Sequence, residues 1–225
     1  MGYPDRPGGL SELARFGFAD LSGTLAKLDQ LVALVGDSGR AAVASLAKAA
    51  DPDQALNALL TFAELDKSTI KKLLKREETA VPLCCVLGAS SALVDFLRRQ
   101  PSAFELFEQK TISLPTQDEA TKQMSKSVAP LLSKGFDSAK AWSALRIEYR
   151  KLLLRVAIFD VTSADPQAAQ PAVAAALADL AGAALETGLT VARAELSLSN
   201  EFGVFTADEV ADSALAILAM EIGRA

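Results

Sequence analysis

The 225 residues contain no histidine, and that absence removes whole classes of chemistry. Neither a Ser-His-Asp nor a Cys-His nucleophile system can be assembled without an imidazole, and His-ligated zinc is excluded with them. Cysteine is nearly absent as well. Cys84 and Cys85 are neighbours in the apolar run 81–87, so no disulfide framework spans the chain. A bond between adjacent cysteines is strained, and two buried thiols acting as small hydrophobes are the simpler expectation. Aromatic residues make up only 6%, with a single Trp, while Ala and Leu dominate the 50% that is hydrophobic. That bias favours helices over a sheet sandwich. The formal net charge of −5 supplies no basic footprint for nucleic acid. No membrane span is read either, because the longest weakly polar stretch, 80–94, falls short of about 20 residues and contains Pro82 and Gly88. With no signal peptide and no disulfide framework, the cytoplasm is the expected compartment.

What is present is helical periodicity. Residues 1–9 read as a tail rich in Gly and Pro. Leu21, Leu25, Leu28, Leu31 and Val35 then recur on one helical face, ended by Gly36 to Gly39, and an Ala-rich helix follows over 40–49. Asp51 and Pro52 supply an N-cap and a first-turn proline for a helix with Leu56, Leu59 and Ala63 on its apolar side. An amphipathic helix over 66–78 sets Lys67, Lys71, Lys72, Lys75 and Arg76 opposite Ile70, Leu73 and Leu74, which reads as a solvated face. Short helices are expected over 90–100 and 101–109, a weaker one over 119–133, a linker over 165–171 and a long Ala/Leu helix to about residue 196. Thr206 to Glu209 has capping-box spacing, and the apolar run 213–220 is ambiguous between helix and buried strand. The expected class is all-α, an irregular multi-helix array: a tail at 1–9, a helical domain over 10–198, and a connector with a terminal segment over 199–225.

The segment 145–162 stands out. Its apolar residues run nearly all the way round the helix, with Glu148, Lys151 and Arg155 as a polar strip, while Arg146 and Arg150 fall among apolar neighbours. A buried guanidinium must be paired, so an internal carboxylate or an external partner is expected to meet these two. Arg146 and Arg150 are therefore candidate interdomain or partner contacts, to which the family resemblance given below adds Arg155, and no residue is assigned a catalytic, cofactor-binding or metal-binding role.

Three segments together resemble the N-terminal region of actinobacterial glutamine synthetase adenylyltransferase: Leu87-Gly-Ala-Ser-Ser-Ala-Leu-Val-Asp-Phe-Leu-Arg-Arg-Gln-Pro-Ser-Ala-Phe-Glu105, the arginine-bearing helix 145–162, and Ala178-Asp-Leu-Ala-Gly-Ala-Ala-Leu-Glu-Thr-Gly-Leu-Thr-Val-Ala-Arg-Ala-Glu195. Asp51 to Leu60 fits the same region, and the likeness spreads over roughly 13–220. The resemblance implies a complete enzyme that uses ATP and magnesium to transfer AMP to glutamine synthetase, reverses that transfer, and answers to a PII-type signalling protein. It also implies that 215–220 is the first strand of a nucleotidyltransferase domain, which continues into a glycine turn and paired aspartates that hold the metal. Here Met220 is followed only by Glu221-Ile-Gly-Arg-Ala225. Asp51-Pro-Asp53 has the aspartate spacing but lacks a glycine turn before it, so helix capping explains it. A helical, non-catalytic portion of the adenylyltransferase is the leading reading, and a free-standing helical interaction module is the alternative.

Overall fold

A computed structural model describes residues 10–133, 136–198 and 205–212, and every regular element among them is helical. The α-helices are α1 (Leu10–Arg15), α2 (Leu21–Val35), α3 (Asp37–Leu46), α4 (Pro52–Leu65), α5 (Lys67–Leu74), α6 (Glu77–Ala89), α7 (Ser91–Arg99), α8 (Gln117–Val128), α9 (Ser138–Val161), α10 (Pro166–Leu198) and α11 (Ala207–Asp212). Two 3-10 segments, Pro101–Glu108 and Ala129–Leu131, complete the set. The all-α expectation holds. The expected strand at 215–220 lies outside the described residues. The chain divides into two compact units, one formed by 1–112 with 157–166 and the other by 113–156 with 167–225.

In the first unit, short polar side chains set the helix starts. Asp20 accepts from Gly23 N, Asp51 from Gln54 N, Asp66 from Ser68 N and Thr69 N, and Ser90 from Leu93 N. Each satisfies amide donors that a first turn cannot pair internally. Helix α4 packs against α2 and α6, and α3 against α2 and α6, around fully buried Leu31, Leu46, Leu56, Leu59, Leu83 and Leu87. Phe62 and Phe104 meet edge to face at 5.1 Å between ring centres.

Two boundaries differ from expectation. Gly36, at φ +71°, is a single left-handed joint rather than the first residue of a longer turn, so α3 begins at Asp37. The helix expected over 66–78 stops at Leu74, because the buried Thr79 hydroxyl donates to the carbonyls of Leu73 and Arg76 and closes a new helix start. Glu77 and Glu78 then occupy the first turn of α6, where negative charge is favoured.

Gly88 marks the tightest approach in this unit. A Cβ there would lie 2.7 Å from the Asp51 carbonyl oxygen and 2.8 Å from the Ala49 Cβ, so only glycine lets α6 rest on the link before α4. Gln54 Nε2 donates to the Leu87 carbonyl at 2.6 Å beside it, and the chain bends by 116° into α7.

The second unit is built from α8, α9 and α10, which bury Met124, Val128, Leu145, Leu152, Leu180 and Val191 together. The Glu195 carboxylate near the end of α10 accepts from Ser138 Oγ and from Trp142 Nε1 (3.4 Å), fixing the two helices to one another. The expected linker over 165–171 is instead the first turns of α10. Pro166 opens the helix with its φ already set, and Pro171 removes a single amide on an exposed side where water serves the free carbonyl. By length and composition α10 is long enough and apolar enough to cross a membrane, whereas no span is expected from the run 80–94. A third of that stretch is buried inside the protein. Thr206 and Glu209 form the reciprocal capping box: Glu209 N donates to Thr206 Oγ1 at 3.2 Å and Thr206 N to Glu209 Oε2 at 2.8 Å.

Candidate functional site

The three candidate arginines sit on α9, and the structure reverses their expected environments. Arg146 and Arg150, expected among buried apolar residues, are exposed, and neither makes an ion pair or hydrogen bond among the described residues. Arg155, expected on the solvated strip, is the one held internally. Its Nε donates to the Ser113 carbonyl at 2.6 Å, one terminal nitrogen to Ser113 Oγ at 2.7 Å, and the other to Glu119 Oε1 at 2.7 Å. The Arg155 side chain is only 14% exposed. The planar guanidinium fork is what allows one group to serve three acceptors.

The cause lies in how α9 is shared. Residues 138–156 belong to the second unit and 157–161 to the first. A helix that serves two cores needs apolar residues at more than one azimuth. Summed over its length it reads as apolar all round, although each part keeps a solvent face. Leu145, Leu152, Leu154, Val156 and Ile158 are buried, while Leu153 and Ala157, the apolar neighbours expected beside the arginines, are only half-buried. Elsewhere on α9 Lys140 pairs with Asp137 at 3.0 Å and Lys151 with Glu148 at 3.6 Å, while Arg146 and Arg150, one turn apart, have no ion pair among the described residues.

The other candidates resolve as structural. Asp51 caps α4, and Asp53 accepts from Ala19 N at 2.7 Å and from the buried Thr24 hydroxyl at 3.0 Å, so both carboxylates of the Asp-x-Asp spacing are engaged in holding helices. Cys84 and Cys85 are free, buried thiols. Burial pushes both thiols above their usual range, the opposite of an activated nucleophile. The lysine face of α5 is exposed throughout, with Lys72 paired to Glu108 at 2.5 Å. Sequence reasoning missed the Arg155–Ser113–Glu119 cluster, since nothing local in a polar strip shows which member folds back onto a loop 36 to 42 residues earlier.

Fold and site together define a helical array that carries, on α9, two exposed arginines without a partner among the described residues. Comparison with known proteins then gives the kinship. The chain is 37% identical over 214 residues to the bifunctional glutamine synthetase adenylyltransferase/adenylyl-removing enzyme of Leifsonia xyli, covering 94% of this chain and 21% of that protein. It is 33% identical over 214 residues to the enzyme of the same name from Bifidobacterium longum subsp. infantis, covering 87% of this chain and 19% of that protein. With the Mycobacterium avium enzyme it shares 37% over 155 residues, 66% of this chain and 15% of that protein. No family model matches the chain, and no solved structure matches it. The chain is thus related over nearly its whole length to one portion of the actinobacterial glutamine synthetase adenylyltransferases, and it spans about a fifth of the length of the curated relatives it matches.

Proposed function

We propose that this chain is the N-terminal helical region of a glutamine synthetase adenylyltransferase and serves its catalytic part as a non-catalytic scaffold in the cytoplasm. The observation that carries this reading is the match to the Leifsonia relative over 94% of the chain at 37% identity, by a segment amounting to only 21% of that relative. In the complete enzyme, ATP and magnesium would be held by the remaining polypeptide, and glutamine synthetase and a PII-type protein would be its partners. Arg146 and Arg150 suit a docking role: two free guanidiniums one turn apart offer forks for carboxylates on a neighbouring domain or on glutamine synthetase.

The test is a chimera in which this chain replaces the matching segment of the Leifsonia enzyme. Transfer of AMP to glutamine synthetase, and its removal, are expected to persist. Loss of both activities in a chimera that remains folded refutes the reading. Within an active chimera, Arg146→Ala with Arg150→Ala is expected to raise the concentration of glutamine synthetase needed for half-maximal adenylylation, or to loosen the domains. Unchanged kinetics and unchanged stability would remove the docking role and leave the scaffold role intact.

A further inference from the structure

Six large apolar side chains among the described residues are more than a third exposed, and three of them, Leu177, Leu185 and Leu198, lie on α10. The inner side of α10 is committed. Val173, Leu180, Ala183 and Val191 are buried, and Glu195 is tied to Ser138 and Trp142. These contacts fix which side faces out. On that outer side Ala178, Ala181, Leu185, Leu189, Ala192 and Leu196 follow one another at intervals of 3, 4, 4, 3 and 4 residues, every one exposed or half-buried. That spacing is the seam into which a second helix packs, with Leu185, 46% exposed, at its middle and Leu177, 41% exposed, on its flank. A scattered surface leucine is ordinary, but a continuous seam of helical period along one rigid helix marks a contact.

We propose that the outer face of α10 seats an amphipathic helix supplied by the part of the full-length enzyme that lies outside these 225 residues. This inference rests on the proposed family role. The relatives carry about four-fifths of their length beyond the matched segment, which is the source of the occupant. The seam is narrow and rich in alanine, so it suits a covalently tethered neighbour. Tethering presents a helix at an effective concentration in the millimolar range, where a modest apolar contact stays closed. A lipid surface fits less well, because the exposed Glu186 adjoins Leu185 and lies one turn before Leu189.

The test is thiol accessibility. Leu185→Cys in the 225-residue chain is expected to react with N-ethylmaleimide about as fast as Leu65→Cys, an exposed control in the other unit (68% exposed for Leu65), while Cys84 stays protected and reports folding. In the Leifsonia chimera Leu185→Cys is expected to react about tenfold or more slowly, with Leu65→Cys unchanged. The separately expressed remainder of the Leifsonia enzyme, added in trans, should give the same protection independently of the fusion. Equal labelling in the isolated chain, the chimera and the trans mixture overturns the proposal. So does protection that appears in the isolated chain as its concentration rises, which assigns the face to a second copy, or protection produced by phosphatidylcholine–phosphatidylglycerol vesicles alone. AMP transfer measured on the same samples separates the two readings. An active chimera with fast labelling loses the docking seam but keeps the family role, and an inactive one with slowed labelling does the reverse.

Discussion

Alanine substitution of the three α9 arginines should divide them sharply. Arg155→Ala removes two bonds to Ser113, one of them to its backbone carbonyl, and the pairing with Glu119. Hydrogen bonds to a charged group contribute about 1.5–3 kcal/mol each when sheltered. Glu119 is 41% exposed, so its share is discounted to within about 1 kcal/mol, and water replaces part of what Ser113 loses. A net loss of about 2 kcal/mol follows, or roughly 4–8 °C in Tm for a chain of this size. Arg155→Lys keeps the charge near Glu119 but not the fork, and is expected to recover about half of that. Arg146→Ala and Arg150→Ala, which lose no internal partner, should each stay within about 0.5 kcal/mol of the parent. Urea unfolding followed by the fluorescence of Trp142, the chain's single tryptophan, reports on the unit that contains all three arginines. The reasoning is refuted if Arg155→Ala is as stable as the parent, or if either of the other variants loses more than about 1 kcal/mol.

Gly88→Ala is expected to destabilise the first unit by about 1–2 kcal/mol, since the overpacking against Asp51 and Ala49 outweighs the gain in helix propensity of up to about 1 kcal/mol; a Tm at or above the parent's, measured by circular dichroism, contradicts it. The Asp66 carboxyl is held down to about 2, first by the Thr69 hydroxyl and amide and then by Ser68. Because its folded value is depressed, the stabilisation is complete above the ordinary carboxylate range and fades as pH falls from about 4 towards 2. Asp66→Asn should therefore flatten that part of the acid-unfolding profile, and an unaltered profile would count against the cap. Cys84 and Cys85 should both resist a thiol reagent in the native protein and react on unfolding in urea, whereas rapid native labelling of Cys84 would contradict its burial.

The helices that were most legible in advance are those whose signals are local. Asp51 with Pro52, the Thr206–Glu209 box and the leucine period of α2 each act within one or two turns, and each appears where the spacing put it. The failures share a different character. Pro171 reads as a helix breaker unless one knows that its side of α10 faces water. Arg146 and Arg150 read as buried because the apolar residues around them were counted as one wall, whereas they serve separate cores. The Arg155 cluster needed a loop distant in sequence. Within the three segments that carry the family resemblance, Gly88, Ser90, Arg155 and Glu195 hold a close approach, a cap, a loop and a helix pair.

The sharing of α9 also governs the order in which the chain can be finished during synthesis. The first unit is discontinuous: residues 1–112 lack the 157–166 stretch that completes them. At translation rates of about 5–20 residues per second, the ribosome needs roughly 3–11 s to add residues 113–166. During that interval the nascent first unit waits with Ile158, buried in the finished structure, still unmade. The first unit therefore cannot close its core until the ribosome has passed residue 166, although half of the chain is already made by residue 112.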